Sequence, residues 1–275
     1  MKQESIHIDL SLDGRKIEVT YYKARKRNAP ILFGTYGMSI PINDYFYENI
    51  FWEMISKRFE CNVVFIGCKN ILKYKFPCVI NCVYDVISYF MKNDSKFDFD
   101  KNKVMVFGSS MGANFAAATT LIDIENKTNY IKTQILNYPC LDLETYSKEK
   151  SCDDCIFANQ YVTDTAELKN PFVSPIYASK KLLKNMPKTI IVCGENDSLS
   201  GGGEKYAQIL KSEGIEVYCE KYRGMEHGFM ELYFLLKYVP FKSEAISNKM
   251  IDSFKSGTLY KSVISATQFI KEHCI

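Results

Sequence analysis

The sequence predicts an α/β protein with a mostly parallel, doubly wound sheet that is entered through an antiparallel hairpin. Short apolar runs, each closed by Gly or Pro, recur at 31–34, 62–67, 103–108, 133–139 and 189–194. Segments with helical spacing alternate with them, at about 44–59, 78–92, 111–122 and 204–213. Continuous apolar runs are typical of parallel strands buried on both faces. Ligand sites in such sheets lie at the carboxyl ends of the strands.

Other segments frame this alternation. Residues 6–10 and 16–22 alternate polar and apolar side chains around Asp13-Gly14, a dipeptide suited to a tight hairpin turn. Residues 142–186 are polar and break the alternation, so we expect a small inserted cap within a single domain of residues 1–275. The polar stretch at 238–256 is expected to be irregular, ahead of a last amphipathic helix.

Composition and charge exclude several functional classes. The chain is 47% hydrophobic, which rules out disorder, and 35 Lys and Arg face 32 Asp and Glu. This near balance favours a neutral small-molecule partner over a nucleic acid. The first ten residues lack the apolar stretch of a signal peptide or membrane anchor, which predicts a cytoplasmic location without stable membrane insertion. No pattern indicates an oligomeric state.

The ten cysteines are scattered through apolar segments, which predicts buried, reduced thiols rather than disulfides. Cys152 and Cys155 form the only close pair with the spacing of metal ligands. They lack the second pair that a structural zinc site needs. We therefore expect neither a metal nor a cofactor.

A candidate nucleophile lies in Gly108-Ser109-Ser110-Met111-Gly112, between an apolar strand and an apolar helix. Gly-x-Ser-x-Gly in this context is typical of a nucleophile elbow, a turn so tight that its flanking positions tolerate almost no side chain. The turn would present the Ser110 hydroxyl at the helix amino terminus, and the N–H of Met111 would face a developing oxyanion. An ordinary Gly/Ser turn is the alternative interpretation.

A serine nucleophile needs a general base. Of the three histidines, His7 lies in the first predicted strand and His273 is two residues from the end. His227 lies in a Gly-flanked loop after the strand at 216–222, from which it could reach the carboxyl edge of the sheet. His227 is therefore the candidate base, with a purely structural histidine as the alternative.

The base in turn needs a carboxylate to orient it. Asp197 follows the strand at 189–194, again at a carboxyl end, and the order Ser110, Asp197, His227 is that of α/β-hydrolases. Glu195 competes for this role, and Asp142 is a weaker candidate. A solvated turn aspartate is the alternative interpretation of Asp197.

Taken in order, these segments resemble the bacterial hormone-sensitive lipase-like esterases of the α/β-hydrolase fold, including acetyl esterases. The resemblance runs from about residue 30 to 232 and is carried by FPCVINCVYDVISYF, FDFDKNKVMVFGSSMGANFAAA, NYPCLDL, VSPIYA, MPKTIIVCGENDSL and EKYAQILKSEGIEVYCEKYRGMEHGFM. It implies Ser110 as nucleophile, Asp197 as orienting acid and His227 as base. The implied reaction is hydrolysis of carboxylic esters with short acyl groups, such as acetyl, through an acyl-enzyme.

The chain departs from the family at several positions. Ser109 stands where the family usually has an acid, and Lys73 stands where an acid is expected ahead of Phe-Pro. The oxyanion loop is replaced by Gly34-Thr35-Tyr36-Gly37. We expect the N–H groups of Met111, Thr35 and Tyr36 to hold the oxyanion, with the Tyr36 hydroxyl as a rival donor. The family's amino-terminal lid helices are expected to be absent, because the hairpin begins almost at the first residue.

Two other functions stay open at this point. The same residues could cleave peptides or amides, or a hydrolase fold could bind ligands without catalysis. The altered oxyanion loop favours the binding function, whereas the complete set of catalytic residue types opposes it.

Overall fold

One eight-stranded sheet forms the centre of the protein. The structure, a computed structural model, describes residues 5–12, 15–36, 45–67, 75–148, 158–238 and 246–274, of which 5–16, 36 and 45–48 are described for the backbone alone. The strands are β1 Ser5–Leu12, β2 Arg15–Tyr22, β3 Ala29–Tyr36, β4 Asn62–Ile66, β5 Phe99–Ser109, β6 Thr133–Asn137, β7 Lys188–Gly194 and β8 Val217–Tyr222.

The strand order is β1-β2-β4-β3-β5-β6-β7-β8. β1 pairs antiparallel with β2 and β2 antiparallel with β4, whereas every pairing from β4 to β8 is parallel. The predicted α/β class, amino-terminal hairpin and mostly parallel sheet are therefore confirmed. The carboxyl ends of β5, β6, β7 and β8 lie along one edge of the sheet.

Helices cover both faces of the sheet. The long ones are α1 Tyr45–Phe59, α2 Cys78–Lys92, α3 Met111–Glu125, α4 Ser200–Ser212, α5 Phe229–Tyr238, α6 Asn248–Lys255 and α7 Thr258–Cys274. Shorter helical turns span Asp94–Lys96, Leu143–Tyr146, Thr165–Lys169, Pro175–Tyr177 and Lys180–Leu183. Helices α2, α3 and α4 share one apolar cluster with the sheet, and α1, α5, α6 and α7 share the other. The result is three layers with two cores.

The central strand β5 shows why the apolar runs are continuous. Val104 and Val106 enter the core on the α3 side, and Met105 and Phe107 enter the core on the α1 side. Successive side chains of a strand point to opposite faces, so a strand covered on both faces is apolar at every position.

Two stretches differ from a simple alternation. Within 142–186, the segment 158–173 packs its apolar side chains against residues of α2 and α3. Its function as a cap stays a prediction. The expectation of irregular structure at 238–256 is wrong for the α6 part, where Ser247 caps the helix through Met250 N–H and the buried Met250 anchors it. One buried residue gives too little apolar periodicity to predict a helix.

The described cysteines are free thiols, and burial raises the pKa of Cys274 to about 12. A buried thiol with a raised pKa is a poor nucleophile and a poor metal ligand at neutral pH. In the described ranges, no cluster of His, Cys, Asp or Glu has the makeup of a metal site. Cys152 and Cys155 lie outside the described residues. Within those same ranges, every helix falls short of the length and apolarity that crossing a bilayer requires.

Gly34 provides a test of the packing in the α1-side core. A Cβ atom at this position would lie 2.5 Å from Cη2 of the Trp52 ring, which is fully buried. We expect Gly34→Ala to lower the free energy of unfolding by about 1–3 kcal/mol, because the ring must shift in a close-packed core. Urea denaturation measures the change.

Gly201→Ala is the matched control. A Cβ atom there would meet no atom within 4 Å, and the position is exposed in α4. Alanine should raise the free energy of unfolding by up to about 1 kcal/mol, because it favours the helix. Equal stability of the two variants would contradict the packing at Gly34.

Candidate active site

The nucleophile elbow joins the end of β5 to the start of α3. Ser110 has φ 57° and ψ −123°, a conformation that residues with a Cβ rarely adopt. A Cβ atom at Gly108 would lie 2.1 Å from the carbonyl oxygen of Gly112. The two ends of the turn therefore touch, and this contact explains the glycine at position 108.

Backbone hydrogen bonds hold the elbow on its neighbours. The Ser110 N–H donates to the carbonyl of Asn137 at the end of β6, with an N–O distance of 2.9 Å. The Ser110 carbonyl accepts from the N–H of Ala113 at 3.0 Å. Ser110 is thereby fixed at the carboxyl edge of the sheet, where the sequence predicts a site.

Three predicted side chains meet at this edge. The Nε2 atom of His227 lies 2.8 Å from Ser110 Oγ, and its Nδ1 atom lies 3.0 Å from Asp197 Oδ2. A carboxylate only accepts hydrogen bonds, so Nδ1 carries the proton, and Nε2 is left to accept from the hydroxyl. This is the arrangement of a serine nucleophile, a general base and its orienting acid.

Asp197 is buried and held from two sides. Its Oδ1 atom accepts from the N–H of Leu199 at 2.9 Å, while Oδ2 contacts the imidazole. The Asp197 side chain is fully buried, whereas that of His227 is 28% exposed. The acid is therefore shielded from water, and the base is open to a reactant.

The competing carboxylates have other partners. Glu195 Oε2 accepts from the N–H of Gly224 at 2.8 Å, which ties the loop before His227 to the end of β7. Asp142 caps a short helical turn through Thr145 and accepts from the hydroxyl of Tyr177. Neither carboxylate has a hydrogen bond to the base in the described residues.

The two remaining histidines lie elsewhere. His7 is in the edge strand β1, opposite Thr20. His273 lies near the end of α7, with its ring centroid 3.8 Å from that of Tyr218. His227 alone has a ring nitrogen in contact with Ser110 among the described side chains.

The three expected oxyanion donors lie in different surroundings. Met111 is the first residue of α3, where N–H groups have no acceptor within the helix. Tyr36 ends β3 opposite Ser109, and its side chain lies outside the described residues. Thr35 is fully buried between Ile66 of β4 and Gly108 of β5, and its part in the oxyanion hole stays a prediction.

The Thr35 side chain supports the elbow. Its hydroxyl donates to the carbonyl of Gly112 at 2.8 Å. This bond links the end of β3 to the first turn of α3, directly behind Ser110. Gly37 and Lys73, which mark further departures from the family, lie outside the described residues.

A second buried carboxylate lies beside the elbow, and no sequence pattern predicts it. Ser109 Oγ donates to Glu231 Oε1 at 2.6 Å, and the hydroxyl of Tyr138 donates to Glu231 Oε2. The three residues are buried, and Glu231 lies 122 and 93 positions from its two partners. No local motif joins them, so only the fold brings them together.

Comparisons with known proteins agree with this fold. A model of the alpha/beta hydrolase fold family matches residues 42–231. The chain is 28% identical over 227 residues to an alpha/beta hydrolase of Acanthamoeba polyphaga mimivirus, covering 78% of this chain and 65% of that protein. It is 26% identical over 238 residues to an arylesterase of Saccharolobus solfataricus, covering 82% and 77%.

The solved structures share the fold. A thermophilic carboxylesterase cloned from a metagenomic library matches with a TM-score of 0.77 and 21% identity, over 97% of this chain and 89% of that chain. The range matched by the family model contains Ser110, Asp197 and His227 and spans well over half of the sequence. The protein therefore belongs to the alpha/beta hydrolase fold family.

Proposed function

We propose that this protein is a carboxylic ester hydrolase that works through an acyl-enzyme on Ser110. The observation that carries the proposal is the unbroken chain of contacts from Ser110 Oγ through His227 to Asp197, at 2.8 and 3.0 Å. The nucleophile lies on a strained elbow at the start of a helix, which is where acyl-transfer chemistry places it.

The first half-reaction uses all three side chains. Ser110 Oγ attacks the ester carbonyl while its proton passes to His227 Nε2. Asp197 stabilises the imidazolium that forms and keeps the ring in one orientation. His227 then gives the proton to the leaving alkoxide, so that an alcohol departs and an acyl ester remains on Ser110.

The tetrahedral oxyanion needs donors that are in place before the reaction. The N–H of Met111 is the proposed first donor, and the N–H groups of Thr35 and Tyr36 at the end of β3 are the proposed others. In the second half-reaction His227 takes a proton from water, which attacks the acyl carbonyl. His227 then returns that proton to Ser110 Oγ as the bond between Ser110 and the acyl group breaks and the acid leaves. No metal or organic cofactor enters these steps.

Small-molecule esters with short acyl groups are the proposed substrates. The related Saccharolobus solfataricus protein is an arylesterase, which suggests aryl acetates as the first compounds to assay. A cytoplasmic location and the absence of nucleic acid partners remain predictions from the sequence.

The proposed nucleophile and base can be tested directly. We expect Ser110→Ala and His227→Ala each to lower kcat for para-nitrophenyl acetate by about a million-fold or to background, as in a serine protease. The double variant should be little worse, because the two residues act as a unit. His273→Ala, whose ring packs on Tyr218, should keep full activity.

Matched substrates decide among the three candidate functions. The wild-type enzyme should hydrolyse para-nitrophenyl acetate much faster than para-nitroacetanilide, which has the same acyl and aryl groups. Faster cleavage of the anilide would establish an amidase. Cleavage of neither compound, together with no labelling of Ser110 by a fluorophosphonate, would favour a binding protein.

The assignment of the acid is a separate prediction. Asp197→Asn should lower kcat roughly ten-thousand-fold while the fold is kept, because the imidazole loses its tautomer and orientation. Glu195→Gln should lower kcat far less, because that carboxylate contacts Gly224 and not the ring. Steady-state kinetics with circular dichroism measure both effects. A larger loss in Glu195→Gln would transfer the role of acid to Glu195.

A further inference from the structure

Glu231 joins the nucleophile strand to the helix that follows the base through a side-chain hydrogen bond. It lies in α5, four residues after His227, and is 5% exposed. A buried carboxylate is costly unless it is well hydrogen-bonded. Its two oxygens accept from the hydroxyls of Ser109 and Tyr138.

Both donors are next to the reacting groups. Ser109 is the last residue of β5 and the direct neighbour of Ser110, and it is 2% exposed. Tyr138 follows β6 with φ 35°, and its ring packs edge-on against the His227 ring at a centroid distance of 5.2 Å. One carboxylate therefore contacts both the residue beside the nucleophile and the ring that packs against the base.

We propose that Glu231 is a positioning residue for the reaction, an inference that rests on the proposed ester hydrolysis. Its carboxylate holds the elbow in place through Ser109. Through Tyr138 it also holds the ring that packs against the imidazole. The distance between Ser110 Oγ and His227 Nε2 is thereby held short before substrate binds. Misplacement of a reacting group by about 1 Å costs on the order of a hundred-fold in rate.

Glu231→Met removes the carboxylate and keeps the volume. We expect kcat for para-nitrophenyl acetate to fall by roughly a hundred-fold while KM changes little, because the variant binds substrate as before and loses only the alignment of the reacting groups. The rate of Ser110 labelling by a fluorophosphonate should fall by a similar factor. Glu231→Gln should keep more activity, since an amide can bond to both hydroxyls.

A merely structural role would give a different pattern. In the triple variant Ser109→Ala, Tyr138→Phe, Glu231→Met, every polar member is replaced by an apolar group of similar shape, which leaves no buried hydroxyl unpaired. We expect its thermal midpoint to stay near that of wild type and its kcat to stay low. A stable triple variant with wild-type kcat would overturn the proposal.

Glu226→Met is the matched control. Glu226 lies in the loop of the base, directly before His227, and accepts from the hydroxyl of Ser247 at 2.8 and 2.9 Å. Its kcat should stay within a few-fold of wild type, and an equal loss there would overturn the special role of Glu231. An inactive wild type would defeat the proposed function, and this inference with it. Active wild type with unchanged Glu231→Met would defeat this inference alone.

Discussion

Ser110 can point its hydroxyl at His227 only while its backbone stays at φ 57° and ψ −123°. Such a conformation costs about 1–3 kcal/mol in a residue with a side chain, so several surrounding contacts must hold it in place. The contact between Gly108 and Gly112, the bond from Ser110 N–H to β6, and the hydroxyl of Thr35 together do so. The strain is thus balanced by the two strands that flank β5, and the site depends on the central position of that strand.

The order of the strands then sets what each loop must do. His227 follows β8, which lies three strand positions from β5. At about 4.8 Å per position, the loop must return roughly 14 Å across the edge of the sheet. Gly224 and Gly228, with φ of 73° and 72°, provide turns on either side of His227. A Cβ atom at Gly194 would lie 2.5 Å from the carbonyl oxygen of Met225, so the loop crosses the end of β7 at close range.

The sequence predicts the parts of the molecule that follow local rules. Buried parallel strands show as apolar runs, and the elbow shows as two glycines around Ser110, because both need particular residues at fixed spacing. The sequence predicts that the apolar strand ends at Gly34, whereas β3 continues two residues further and buries Thr35, whose role as an oxyanion donor stays a prediction. No sequence pattern indicates Glu231. Its partners lie at the carboxyl ends of β5 and β6, and a single acidic residue in an apolar helix has no pattern that distinguishes it.

The carboxylates around the base loop show how one chemical group fills different roles. Asp197 contacts the imidazole, Glu195 holds the backbone at Gly224, and Glu226 binds the serine that caps α6. The role of each carboxylate is set by its hydrogen-bond partner, because the residue types alone do not distinguish these roles. Glu231 differs from the other acids because Ser109 and Tyr138, which donate to it, are buried side chains. The hydrogen bonds of the Glu231 carboxyl group therefore depend on the exact positions of Ser109 and Tyr138, and each of these two residues contacts a reacting group.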